Sequence, residues 1–194
     1  MTDETGRGSA AAAPDTVVAL FATWLDELAG AVRHRFKDLP DDAVAYRPDP
    51  GGNSVGVTLW HFTRWLDLLT HQAWRAEPVS GEVWHRNGWA ARTGYDPTGL
   101  GFQGYGVVTG FTVEEVDAVP FLTSAQLLAY FSEVTDSLRT ELAGLTTERL
   151  NEPAPGLGGQ RSRYSWLAPV MQGSFGHVGE IDALLAMRTR RMVD

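Results

Sequence analysis

Two histidines and one glutamate carry the pattern from which chemistry can be built. His177 and Glu180 stand three residues apart, so on a helix they share a face, and Gly173, four residues before His177, lies on that face too. His61 sits in a segment that is apolar on most sides, the signature of a buried helix, where an imidazole needs a partner. Brought together inside a helical bundle, the three side chains form a donor set suited to Zn²⁺, Ni²⁺ or Fe²⁺. An open coordination position lets such an ion activate a bound water or thiol. Plainer readings stand beside this one: a His177–Glu180 surface pair, and a hydrogen-bonded core role for His61. Arg64 and Trp65, one helical turn beyond His61, are placed to contact a substrate; a salt bridge and core packing are their alternatives.

Four apolar-periodic segments must position these groups. The first runs from a cap at Asp15 to about Lys37, with Val17, Val18, Leu20, Phe21, Trp24, Leu25, Leu28 and Val32 on a broad apolar face. The second starts at a cap on Asn53 or Ser54 and reaches about Ala76, with Val55, Leu59, Phe62, Leu66, Leu69 and Ala73 along its seam. The third opens on Thr123-Ser-Ala-Gln126, a capping-box pattern, and runs to about Ala143. The fourth begins near Trp166, takes Pro169 in its first turn, and ends among Arg188, Arg190 and Arg191, cations suited to a helix C-terminus. Gly173, Gly176 and Gly179 each weaken this helix by about 1 kcal/mol relative to Ala. That composition points to something close against its backbone: a neighbouring helix, a ligand, or the space around a site.

Residues 77–123 separate the second and third helices. The stretch is irregular, yet Trp84, Trp89, Tyr95, Phe102 and Tyr105 within it argue for order. The expectation is a lid packed across one end of the bundle near His61, because its aromatics need burial. Trp84 and His85 on this lid join Trp65 as candidate substrate contacts. Its glycine-rich part lacks the lysine of a phosphate-binding loop. These elements predict an all-α fold, a four-helix bundle with a long ordered insertion between helices two and three.

The chain has 194 residues, a formal net charge of -8 and no cysteine. The absence of cysteine removes disulfides, thiolate ligands and any cysteine nucleophile. The negative charge argues against nucleic acid or an anionic membrane as partner. Residues 1–14 read as a disordered leader without signal-peptide character, and residues 15–194 as one domain of a cytoplasmic protein.

The run Leu59-Trp-His-Phe-Thr-Arg-Trp, together with Gly176-His-Val-Gly-Glu-Ile, resembles the DinB/YfiT-like superfamily. That group includes the metal-binding domain of mycothiol-dependent maleylpyruvate isomerase and the bacillithiol transferases. The resemblance spans nearly the whole chain after the leader, including the loop Arg47-Pro-Asp-Pro-Gly-Gly before helix two. It implies an up-down-down-up bundle, a homodimer, and a divalent metal held by three side chains. One ligand is a helix-two histidine, matched here by His61. The other two stand four apart on helix four; the second is matched by His177, and the first falls on Gly173, which has no side chain to offer. Glu180, a water, or His85 or Asp96 from the insertion are the replacements the sequence contains; failing those, the ligand set is degenerate.

Two functions from different classes follow. The first is a metal-dependent thiol S-transferase or isomerase. In it the metal (Zn, Ni or Fe) presents a low-molecular-weight, mycothiol-like thiol to a small electrophile, His61 and His177 ligate, Glu180 is third ligand or base, and Arg64 contacts the substrate. The second is a non-catalytic bundle that binds a small molecule or partner, with the metal site lost.

Overall fold

A computed structural model describes residues 16–192. The leader expected over residues 1–14, and the cap at Asp15, lie outside them. Among the described residues the regular structure is helical, with one isolated β-bridge between Pro153 and Ser162. Four long helices make the bundle: α1 (Thr16–Phe36), α2 (Val55–Leu68), α3 (Ser124–Ala143) and α4 (Arg163–Arg191). Helix α2 packs mainly against α3 and α4, and α1 closes the bundle against the same two. No helix among the described residues is long and apolar enough to cross a membrane.

The helix ends follow local chemistry. Ser54 caps α2 by accepting the Val57 amide at 3.1 Å. Thr123 and Gln126 form the reciprocal capping box at the start of α3. Helix α1 buries Val18, Phe21, Leu25, Leu28 and Val32 at alternating steps of three and four, the period of one helix face. Helix α2 is buried along almost its whole length and continues into a π-helical turn, Leu69–Trp74. Loop amides take up the carbonyls of that turn: Glu77 donates to His71 at 2.9 Å, and Gly156 to Ala73 at 2.9 Å. Gly156 must be glycine, because a Cβ there would meet the Gln72 carbonyl oxygen at 1.7 Å. His71, fully buried, joins the turn to its neighbours through Glu77 at 2.7 Å and Ser137 at 3.2 Å.

Helix α4 starts earlier than the sequence suggested. Ser162 caps it and Pro169 lies inside it, beyond the first turn. A proline there removes the amide that would bond the carbonyl four residues back. That carbonyl belongs to Ser165, and the Arg161 guanidinium donates to it instead, at 2.6 Å.

The insertion is more regular than an irregular loop. It folds as short helical turns, Val79–Gly81, Val83–Arg86, Trp89–Thr93, Phe102–Gly104 and Val113–Asp117. Trp84 is fully buried between Trp60, Trp89 and Tyr130, whereas Phe102 remains exposed. A buried ionic network holds the insertion to the bundle. Arg64 donates to Glu82 at 2.6 Å and lies 3.3 Å from Asp67. The Asp67 carboxylate also accepts the Val83 and Trp84 amides at 2.8 and 3.0 Å and the Tyr130 hydroxyl at 2.9 Å. Those amides open the Val83–Arg86 turn, so Asp67 caps it from another helix. Burial, and then the Asp67 charge, push the Tyr130 phenol well above its ordinary range, so it stays protonated and keeps donating.

Removing one member of such a network leaves the others buried without partners, which costs about 3–5 kcal/mol. Asp67→Ala is expected to lose that much in denaturant unfolding, and to open the insertion to proteolysis before the bundle itself. A loss below about 1 kcal/mol, the range of an exposed pair, would show that the network does not hold the insertion in place.

Candidate functional site

His61 and His177 meet on the wall of one cavity. Helix α2 supplies His61 from its buried length and α4 supplies His177, with ring centroids 4.7 Å apart and planes nearly perpendicular. Phe62 stacks parallel to His177 at 6.1 Å. Each imidazole is fixed through Nδ1: His61 bonds the Val107 carbonyl, and His177 bonds Glu180 at 2.7 Å. A carbonyl and a carboxylate only accept, so each Nδ1 carries the hydrogen and donates it. On the neutral ring this leaves Nε2 as a free lone pair. Burial, and then the His177 charge, push the His61 imidazole down to about 4, so it is neutral near pH 7. The hydrogen bond to His177 holds the Glu180 carboxyl below its ordinary range.

The insertion builds the floor beside His61. Val107 presents its carbonyl to the ring, Thr109 accepts the Trp65 indole N–H at 3.2 Å, and Gly106 accepts from Arg64 at 3.3 Å. Val108, between these contacts, is a β-branched residue at φ +71°, a conformation that costs energy and persists only where the surroundings enforce it.

The cavity has a volume of about 330 Å³ and is walled by Phe62, Trp65, Trp166, Pro169 and Val170, with Thr109, Ser174, Gly173 and Arg161 beside the two histidines. That size suits a small organic molecule. The insertion meets His61 through Val107 and contributes Thr109 to the cavity, which Trp65 also lines.

Several expected site residues are elsewhere. Arg64 is 1% exposed and committed to Glu82 and Asp67, so it cannot touch a ligand in the cavity. Trp84 is core, its indole N–H donating to the Tyr95 carbonyl at 3.1 Å. His85 faces Glu82 and Asp96 at 3.9 and 3.8 Å, and neither it nor Asp96 reaches the cavity wall. Glu180 bonds the His177 Nδ1 and is not on the cavity wall.

Whether these groups suit a divalent metal turns on the donor set. Two imidazoles, each with Nδ1–H anchored to a fixed acceptor, are held as metal-ligating histidines are held. Among the described residues, no cluster of three His, Asp or Glu side chains could hold an ion. The residues fit a two-histidine site whose remaining positions come from solvent or substrate. A Cβ on Gly173 would meet nothing within 4 Å, so the cavity has room where a third ligand would project.

Comparison with known proteins gives the wider frame. The sequence pattern of the DinB superfamily matches residues 6–181. A crystal structure described as a conserved protein from Enterococcus faecalis has the same fold, with a TM-score of 0.68 over 87% of this chain and 95% of that one, at 18% identity. No curated protein matches the sequence.

The helix-four glycines do not mark close backbone approach. Built Cβ atoms on Gly173, Gly176 and Gly179 all meet open space within 4 Å. Gly176→Ala is therefore expected to stabilise the fold by about 0.5–1 kcal/mol, the helix-propensity difference, measured by denaturant unfolding. A destabilised Gly176→Ala protein would mean that the outer face of α4 is covered after all.

Proposed function

Because the chain belongs to the DinB superfamily, we propose that it is a small-molecule enzyme centred on the His61–His177 pair, transferring or rearranging groups with a low-molecular-weight thiol as cosubstrate. The observation that carries this reading is the matched pair of anchored imidazoles, both with Nε2 unengaged, on one cavity of about 330 Å³. The chain contains no cysteine, so a sulfur nucleophile has to arrive as a cosubstrate.

His61 and His177 are the residues that would hold a divalent ion such as Zn²⁺, Ni²⁺ or Fe²⁺. Such an ion, when bound, supplies Lewis acidity that makes a bound thiol or water acidic. Val107 and Glu180 fix the two rings and their tautomers. Phe62, Trp65 and Trp166 hold an apolar body and limit water around the reacting atoms. The homodimer that the family resemblance implies, and the cytoplasmic location read from the N-terminal residues, belong to the same proposal.

Gly173 supports a second reading, a binding bundle without chemistry, because a metal with two protein donors is weakly held. Calorimetric titration of the metal-free protein with Zn²⁺ and Ni²⁺ separates the two. The enzyme reading expects weak uptake by the native chain and at least a tenfold loss in His61→Ala and in His177→Ala, within the range known for lost site groups. Gly173→His, projecting into open space, is expected to bind at least tenfold tighter. Equal uptake by native and alanine variants would show that the ion sits elsewhere. A folded Gly173→His protein without gain would leave the binding-bundle reading.

A further inference from the structure

The cavity has one permanent charge on its wall, and it is positive. Arg161 lines it, no aspartate or glutamate does, and the two histidines are its other ionisable groups. This is unusual ground in a chain with a formal net charge of -8. Among the described residues no carboxylate pairs with Arg161, a state it shares with other arginines such as Arg33 and Arg92, which do not line this cavity.

Arg161 is also held in position, in three ways. Its backbone carbonyl accepts the Ala154 amide at 2.8 Å, next to the Pro153–Ser162 bridge. Its guanidinium lies 4.4 Å from the Trp166 ring centroid, a cation–π distance. It donates to the Ser165 carbonyl, which is available because Pro169 brings no amide to it. A guanidinium has five N–H donors, so this single bond leaves most of the fork free. Preorganisation of this kind lowers the entropy lost on binding.

We propose that Arg161 is the specificity-determining residue of this cavity, selecting small molecules that carry a carboxylate on a flat apolar body. The carboxylate pairs with the Arg161 fork. The body lies along Phe62, Trp65 and Trp166, and leaves its other end to the His61–His177 wall. The inference rests on the reading that the cavity takes a small molecule, and is independent of whether a metal binds there.

The test uses chelator-treated full-length protein and two probe pairs that differ in charge but hardly in shape, phenylacetate against phenylacetamide and benzoate against benzamide. Affinities are measured by calorimetry and by quenching of tryptophan fluorescence. Arg161 is exposed and its pairing is partly screened, so the native protein is expected to prefer each acid over its amide by a few-fold, with the preference falling as salt is raised. Arg161→Gln is expected to abolish the preference, and Arg161→Lys to restore part of it. Pro169→Ala keeps the charge but returns an amide to Ser165, so it is expected to loosen Arg161 and reduce the preference. Equal binding of acid and amide by the native protein overturns the inference and leaves the cavity reading intact. An acid preference that survives Arg161→Gln also overturns it, since the imidazoles would then be the anion's partner. Failure of every probe to bind overturns both readings. Arg161-dependent acid binding in a protein that takes up no metal supports the inference while the metal reading falls.

Discussion

A carboxylate shut away from water sets the terms for this structure. Asp67 is fully buried, and burial of a charge is tolerable only when every lone pair finds a donor. Its donors come from three places: Arg64 on its own helix, Tyr130 on α3, and two backbone amides of the insertion. Glu82 then takes the rest of the Arg64 charge at 2.6 Å and a Gln72 amide at 2.6 Å. The insertion therefore cannot shift without exposing an ion to apolar surroundings. That constraint extends to the site. Arg64 also reaches the Gly106 carbonyl, and the next residue, Val107, is the one that fixes His61. The strained Val108 is tolerated in a segment held on both sides in this way.

The site built on this support has two distinct ends. Two anchored imidazoles form one, and a cation without a carboxylate partner forms another, with aromatic and aliphatic walls between the named groups. Glu180 influences the cavity by orienting the His177 ring and through its charge, which also bears on His61. The arrangement suits a ligand that is apolar in the middle and polar at its ends, which is how small-molecule sites combine affinity with orientation.

Much of the fold was legible because it depends on local signals. The Ser54 cap and the Thr123–Gln126 box are each written within a few residues and appear among the expected signals, whereas the apolar face of α1 is narrower than read: Val18, Phe21, Leu25, Leu28 and Val32 are buried, but Val17, Leu20 and Trp24 are exposed. His61 and His177 were found by type and spacing and do share a cavity. The roles that were misjudged depend on partners distant in sequence. Nothing around Arg64 announces that Glu82 will pair with it, and nothing near Trp84 announces Trp60 and Tyr130. The glycines of α4 left three readings open, a neighbouring helix, a ligand or the space around a site; a Cβ on any of them would meet nothing within 4 Å and Gly173 lines the cavity, which the helix's own sequence could not decide. Arg161 was missed for a similar reason, although a local signal existed: a proline beyond the first turn of a helix frees a carbonyl four residues back, and a nearby donor can take it.

The central claim is that both imidazoles keep Nδ1–H toward fixed acceptors and Nε2 toward a shared cavity. Nitrogen-15 NMR of the histidine side chains reads this directly, since the two ring nitrogens of each tautomer resonate far apart. In metal-free native protein at neutral pH, His61 is expected as the Nδ1–H tautomer with an unprotonated Nε2, and His177 with its Nδ1 proton hydrogen-bonded to Glu180. Added Zn²⁺ is expected to move the Nε2 signals of both residues together. An Nε2–H tautomer at His61, or a response confined to one ring, would contradict the geometry on which the proposed chemistry depends.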